Sequence, residues 1–228
     1  MKKTLLFFAL ATTTNWIVAQ DLKGAFIRTN WVSANTYSFN ITLLADAMVN
    51  IARPTLTLSF GDNTSATFSL SDTSTMGNTN IKTYTGTHTY PGAGTYLANL
   101  LTVYRVQGIK NMQISQMQSV SVGALINVSS STAGNNAITI LNPPVNLSVV
   151  NNTLIYNPSC SSPSGDSLSY SLDNCSGANY YTANGSSINP TTGQFSFSND
   201  TSGTYAFLMT IKQWRKNSSN NQYFQLAT

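Results

Sequence analysis

The sequence predicts an all-β chain folded as two tandem β-sandwich domains behind a cleaved signal peptide, and three observations carry this. Apolar residues alternate with period two along several segments, as at Tyr37, Phe39, Ile41 and Leu43, the pattern of a half-buried strand. Clusters of Gly, Asp, Asn and Pro punctuate those runs, as they do where antiparallel strands reverse direction. The composition also lacks helix-surface residues: only 8% of residues are charged, all seven acids are Asp, and Ser, Thr and Asn are abundant. Thr, Tyr, Phe, Val and Ile suit pleated surfaces, whereas Glu, Lys and Ala usually fill exposed helix positions. With 228 residues and about 100 per sandwich, two domains are the natural division.

Residues 1–19 have the three parts of a secretory signal peptide. Lys2 and Lys3 form the positive start, Leu5 to Ala11 the apolar core, and Ile17-Val18-Ala19 the small-residue exit. Cleavage after Ala19 leaves Gln20 first, and no Cys follows that could take a lipid. The apolar run is shorter than the ~20 residues a permanent span needs, so an exported chain without a transmembrane segment is expected. The formal charge of +4 includes Lys2 and Lys3; the mature chain carries about +2. Its densest basic group is Lys212, Arg215 and Lys216, too few to neutralise a run of phosphates, so nucleic acid is excluded as a partner and a solvated strand end is expected there.

The first domain is assigned to residues 20–124. Strands are expected from Trp31 through Leu43, over Leu56, Leu58 and Phe60, from Tyr96 to Tyr104, and from Ile114 to Val122. Residues 66–85, rich in Ser, Thr and Asn with Met76-Gly77-Asn78 at the tip, are the longest loop candidate, and long loops on rigid sandwiches often carry binding. Asp62 follows the second of these strands in a Phe60-Gly61-Asp62 turn, where a carboxylate accepts backbone N–H bonds. His88, the one histidine, has no second His, no Glu and no Asp at a ligand-like spacing. The Phe60-Gly61-Asp62 turn, followed by His88-Thr89-Tyr90-Pro91-Gly92-Ala93-Gly94-Thr95-Tyr96, resembles the polycystic-kidney-disease-type (PKD) domain, an immunoglobulin-like β-sandwich. The resemblance implies that His88 and Tyr90 stabilise the core and its turn.

Residues 125–140 are expected to form a linker or loop, and residues 141–228 the second domain. Leu141-Asn142-Pro143-Pro144 makes a stiff start. Gly165-Asp166-Ser167-Leu168-Ser169-Tyr170-Ser171-Leu172, then Ile188-Asn189-Pro190-Thr191-Thr192-Gly193, then Gly203-Thr204-Tyr205, resemble the cadherin-like, immunoglobulin-type modules of bacterial surface proteins. The order of the two modules, with Trp214-Arg215 near the end, is similar to the N-terminal region of Bacteroidetes cell-surface proteins of the gliding-motility-associated type. Members of the cadherin-like group often bind Ca²⁺ through several acids ahead of this strand. Here that run is Ser162-Pro163-Ser164-Gly165-Asp166. A lone carboxylate is far from the six to eight oxygens calcium takes, so no metal is expected and Asp166 is read as a turn residue.

Cys160 and Cys175 are the only cysteines. In an exported chain they predict one disulfide, closing a loop of about 15 residues and worth roughly 3 kcal/mol. A zinc site would need about four ligands, and a thiol nucleophile a base partner that the sequence does not supply.

No nucleophile–base pair, phosphate loop or marked pair of carboxylates stands out, so neither catalysis nor a cofactor is expected. The expected function is a non-enzymatic, exported cell-surface protein of bacterial type. It would mediate protein–protein interaction or adhesion with another cell-surface or outer-membrane protein, as an accessory subunit of an outer-membrane or gliding/secretion assembly. Tyr84, Tyr180, Tyr181 and Trp214 are the candidate binding-surface aromatics. The alternative is an extracellular glycan-binding module, in which such rings stack on the sugars of a polysaccharide.

Overall fold

The structure, a computed structural model, describes residues 21–49, 51–102, 104–129, 138–145, 147, 149–150, 152–177, 179–198, 201–217 and 219–227. The expected leader, 1–19, and residues 130–137 of the expected linker lie outside the described residues. Among the described residues the chain is all-β, with one turn of 3₁₀-helix at Ser115–Met117. None of their helices is long and apolar enough to cross a membrane.

The first half supplies β1 (Leu22–Ser33), β2 (Thr36–Asp46), β3 (Thr55–Ser59), β4 (Ser65–Met76), β5 (Thr79–Thr89), β6 (Gly94–Thr102) and β7 (Val120–Val128). The second half supplies β8 (Thr139–Ile140), β9 (Val149–Val150), β10 (Thr153–Tyr156), β11 (Cys160–Ser161), β12 (Ser167–Asp173), β13 (Ser186–Ile188), β14 (Phe195–Ser198), β15 (Leu208–Lys216) and β16 (Tyr223–Ala227). Ten of these form one antiparallel sheet in the order β1-β2-β5-β4-β3-β6-β7-β16-β15-β12. A second sheet runs β13-β14-β10-β9, and β11 pairs with β8.

The large sheet curls because β4 serves two partners. Ser65–Ser69 pairs with β3, and from Leu70 onward the same strand pairs with β5, with a bulge between Leu70 and Asp72. Bulges of this kind bend a strand from one layer into the next. The bend lets β1 return against β7 and encloses a core of Tyr37, Phe39, Ile41, Leu43, Leu56, Leu58, Phe60, Tyr84, Tyr90, Leu100 and Ile126. Period-two alternation in β2 supplies this core directly, since Tyr37, Phe39, Ile41 and Leu43 are all buried. Gly86 on β5 leaves the room that the Phe68 ring occupies; a Cβ there would lie 2.4 Å from Phe68 Cε1.

Four sequence expectations need correction, the first being that the run from Trp31 through Leu43 is not one strand but the β1–β2 hairpin, turning at Ala34-Asn35. The Ser/Thr-rich segment expected as a loop is the β4–β5 hairpin, turning at Gly77-Asn78. Its outer half, Ser71 to Met76, is exposed on both faces, so no apolar alternation marks it, although β-branched Thr favours the strand. The boundary expected at residue 124 falls inside β7, whose Ile126 and Val128 are buried in the first core. The strand expected from Ile114 starts only at Val120; before it, Ser115 folds the chain back, its Oγ donating to Val106 O at 2.9 Å and accepting from Ile109 N at 3.2 Å.

That folded-back segment joins the halves. Ile109 forms a parallel bridge with Thr204, and Lys110 N donates to Thr204 O at 2.8 Å. Ile109 and Met112 share a small core with Cys175 and Ala206. Farther along, Ala227 of β16 pairs with Ile126 of β7, so the sheet runs without a break from one half to the other. The second half's own core is Ala183, Phe195 and Phe197, packed with Leu154, Tyr156, Leu172, Tyr205, Phe207 and Met209.

Candidate functional site

Asp62, His88 and Tyr90 meet at one corner of the first core. Gly61, at φ +83°, makes the turn there; a Cβ on it would press on the Leu97 backbone at 2.6 Å. Asp62 Oδ1 accepts from Thr64 N at 3.0 Å and Thr64 Oγ1 at 2.6 Å, and Oδ2 lies 2.7 Å from His88 Nε2. Burial pushes the Asp62 carboxyl up, but the bonds from Thr64 and His88 outweigh it and hold the group below its ordinary value. The imidazole lies flat on Phe60, centroids 3.8 Å apart, and edge-on to Tyr90 at 4.7 Å. Tyr90 donates to Phe60 O at 3.2 Å, and its hydroxyl is pushed up chiefly by burial and then by the Asp62 charge. His88 therefore has an acidic partner that local spacing does not reveal, because strand pairing brings together residues 26 apart in the chain.

Asp166 is the hub of a second polar cluster. Its Oδ1 accepts from Arg215 Nε at 2.9 Å, and its Oδ2 from Arg215 Nη2 at 2.9 Å and Gln213 Nε2 at 2.7 Å. Paired forks of this kind are the stronger form of Arg–carboxylate contact. Arg215, expected on a solvated strand end, is instead half-buried against this carboxylate. No group of three or more His, Cys, Asp or Glu placed to hold a metal occurs among the described residues.

The expected disulfide is not formed: both cysteines are free. Cys160 pairs with Ile140 through β11 and neighbours Tyr170 in the middle of β12, with its thiol pushed up to about 11, mainly by burial. From Tyr170 the extended strand runs on to Asp173 before Cys175 enters the joint between the halves, beside Ile109, Met112 and Ala206. At about 3.3 Å per residue, β12 carries the second thiol away from the first.

The four expected surface aromatics divide. Tyr84 is fully buried, its hydroxyl donating to Arg53 O at 2.8 Å, and so belongs to the core, not to a binding surface. Tyr180 is half-buried against the joint, and Trp214 is half-buried with Nε1 donating to Ser169 Oγ at 2.7 Å. Tyr181 is 56% exposed, its hydroxyl donating to Lys110 O at 3.0 Å. Tyr223, which the sequence reading passed over, is exposed to the same degree.

A cleft of about 880 Å³ opens where the halves meet. Leu154, Tyr156, Phe195 and Phe197 line it from the smaller sheet, Leu172, Met209 and Ile211 from β12 and β15, and Val120 and Val122 from β7. The core residues of the second half thus border an open space on the side that faces the first half. Lys23 and Asp46 also line it and form an ion pair at 3.7 Å. Arg105 lines it too and is 7% exposed. The Arg105 backbone is fixed by a parallel bridge to Leu22 and by its N–H donating to Gln118 O at 3.0 Å. Its Nη2 reaches Ser176 O only at 3.5 Å, and its Nε meets no hydrogen-bond partner among the described residues. Burial lowers its pKa, opposed by Cys175 and Tyr180. Nothing in the local Tyr104-Arg105-Val106 sequence marks this residue.

Compared with known proteins, the chain matches no family model, no curated protein and no solved structure.

Proposed function

We propose that this chain is a non-enzymatic, exported cell-surface protein. It is built as two tandem immunoglobulin-like sandwiches behind a cleaved signal peptide, and it works by holding another cell-surface or outer-membrane protein, within an adhesive, gliding or secretion assembly. The observation that carries the reading is the solvent face of β6. Leu97 is 55% exposed and Leu101 67%, on a strand in the middle of the ten-stranded sheet. Leu97 leans across Gly123 of β7, whose missing side chain widens the apolar surface. Monomers seldom leave large side chains uncovered together on a sheet face, and such patches mark partner surfaces. The engagement of His88 with Asp62 and of Asp166 with Arg215 supports a structural use of those groups.

Crosslinking on intact cells followed by co-purification tests the proposal. The protein is expected to bring down a surface or outer-membrane protein, and a Leu97→Lys/Leu101→Lys variant to lose it while remaining folded. Recovery of an uncrosslinked monomer sinks the reading. Exposed Tyr181 and Tyr223 favour the glycan-binding alternative, for which saturable binding on a glycan array, lost on changing those two rings to Ala, is the expected signature.

A further inference from the structure

We propose that the cleft between the halves binds an amphipathic carboxylate, its headgroup held by Arg105 and its apolar body lying among Leu154, Phe195, Phe197 and Leu172. Two independent observations meet here. The first is charge: Arg105 is more than nine-tenths buried, its Nε is unpartnered, and it forms no ion pair with a described acid. A guanidinium stays protonated in proteins, and burying one without an anion is unfavourable. Its planar fork matches a carboxylate. Among the described residues the only other cation lining the cleft, Lys23, is already paired with Asp46, which leaves Arg105 as the described charge to which an anion would answer.

The second observation is shape and polarity. The cleft's roughly 880 Å³ falls within the range of small-molecule sites, which combine apolar walls with one or two placed polar groups. Apolar side chains from three strand groups converge on it, and these are the residues from which the second half builds its core. An acyl chain or aromatic body would complete that packing. This goes beyond the adhesive reading: Leu97 and Leu101 are not among the residues lining the cleft, so either reading can fail alone.

The test is titration calorimetry of the purified protein with decanoate, decanol and decyltrimethylammonium. Decanoate is expected to bind saturably at one site, at least tenfold tighter than the neutral or cationic chain. Arg105→Gln should weaken decanoate by tenfold or more and leave decanol unchanged, with Arg105→Lys between. Gly24 lines the cleft, and a Cβ there meets only Leu44 Cδ1 at 3.7 Å, so Gly24→Phe should fold, intrude on the space and weaken decanoate with Arg105 intact. Absence of saturable decanoate binding, or equal affinity for all three headgroups, overturns the proposal; both outcomes are read on the unaltered protein, whatever the variants do.

Discussion

Asn111 and Ala206, 95 residues apart, exchange two hydrogen bonds: Asn111 Nδ2 donates to Ala206 O at 2.8 Å, and Ala206 N donates to Asn111 Oδ1 at 2.9 Å. The amide side chain acts as one residue of a strand pair, and its second N–H reaches Tyr181 O at 3.1 Å. Asn111 is fully buried. Replacing it with Ala strands the buried backbone N–H and C=O of Ala206 away from water, which costs more than the bonds themselves contribute. Asn111→Ala is expected to lower stability by about 2–4 kcal/mol in urea denaturation. A loss below about 0.5 kcal/mol, the scale of an ordinary surface change, would mean that the joint is held by other contacts.

Acid should loosen the Asp62 corner in a defined direction. The folded carboxyl sits below its ordinary value of 3.8, so its contribution is whole above that pH and is lost as pH falls through the lower folded value. Asp62→Asn should therefore flatten the acid limb of a stability-versus-pH curve below the ordinary carboxyl value of 3.8. An unchanged acid limb would assign the pH dependence to other carboxylates.

The Asp166–Arg215 pair is partly buried, the acid side chain being 5% exposed and the arginine side chain 24%. Removing one member leaves the other charge without compensation. Asp166→Ala is expected to cost about 3 kcal/mol, and Asp166→Ala/Arg215→Met less than the single change. If the double variant is the weaker of the two by thermal unfolding, the charges are not coupled. Millimolar Ca²⁺ should leave the melting temperature of the parent unchanged, since Asp166 already accepts three bonds from side-chain N–H groups.

Thiol chemistry separates the observed fold from the expected disulfide. Two thiols per chain should react with a thiol reagent in denaturant without prior reduction, and slowly in the native protein, where Cys175 is buried and burial raises both thiols. Zero reactive thiols would restore the bridge.

Much of the strand framework was legible because it rests on local alternation: β2 and β3 announce themselves through Tyr37, Phe39, Ile41, Leu43, Leu56 and Leu58. β1 did not, since most of its residues on both faces are half-buried and no period stands out. The outer β4–β5 hairpin was hidden by an exposed Ser/Thr surface on β4 that reads as a loop. The site was largely illegible for a different reason. Arg105, Asn111 and the Asp62–His88 contact gain their meaning from residues far along the chain, and an isolated Arg or Asn between ordinary neighbours carries no sign of what will be folded over it. The two cysteines illustrate the same limit: a single pair in a chain expected to be exported suggested a bridge, whereas the fold leaves both thiols free and seats Cys175 in the joint between the halves.

β16 lies between β7 and β15. Until residues 223–227 arrive, β7 lacks the Ala227–Ile126 pairing on the side away from β6, and the early strands form a sheet without that neighbour. Assembly is thereby timed by delivery of a late segment: a nascent chain would need shielding from stray strand partners until that wedge is seated.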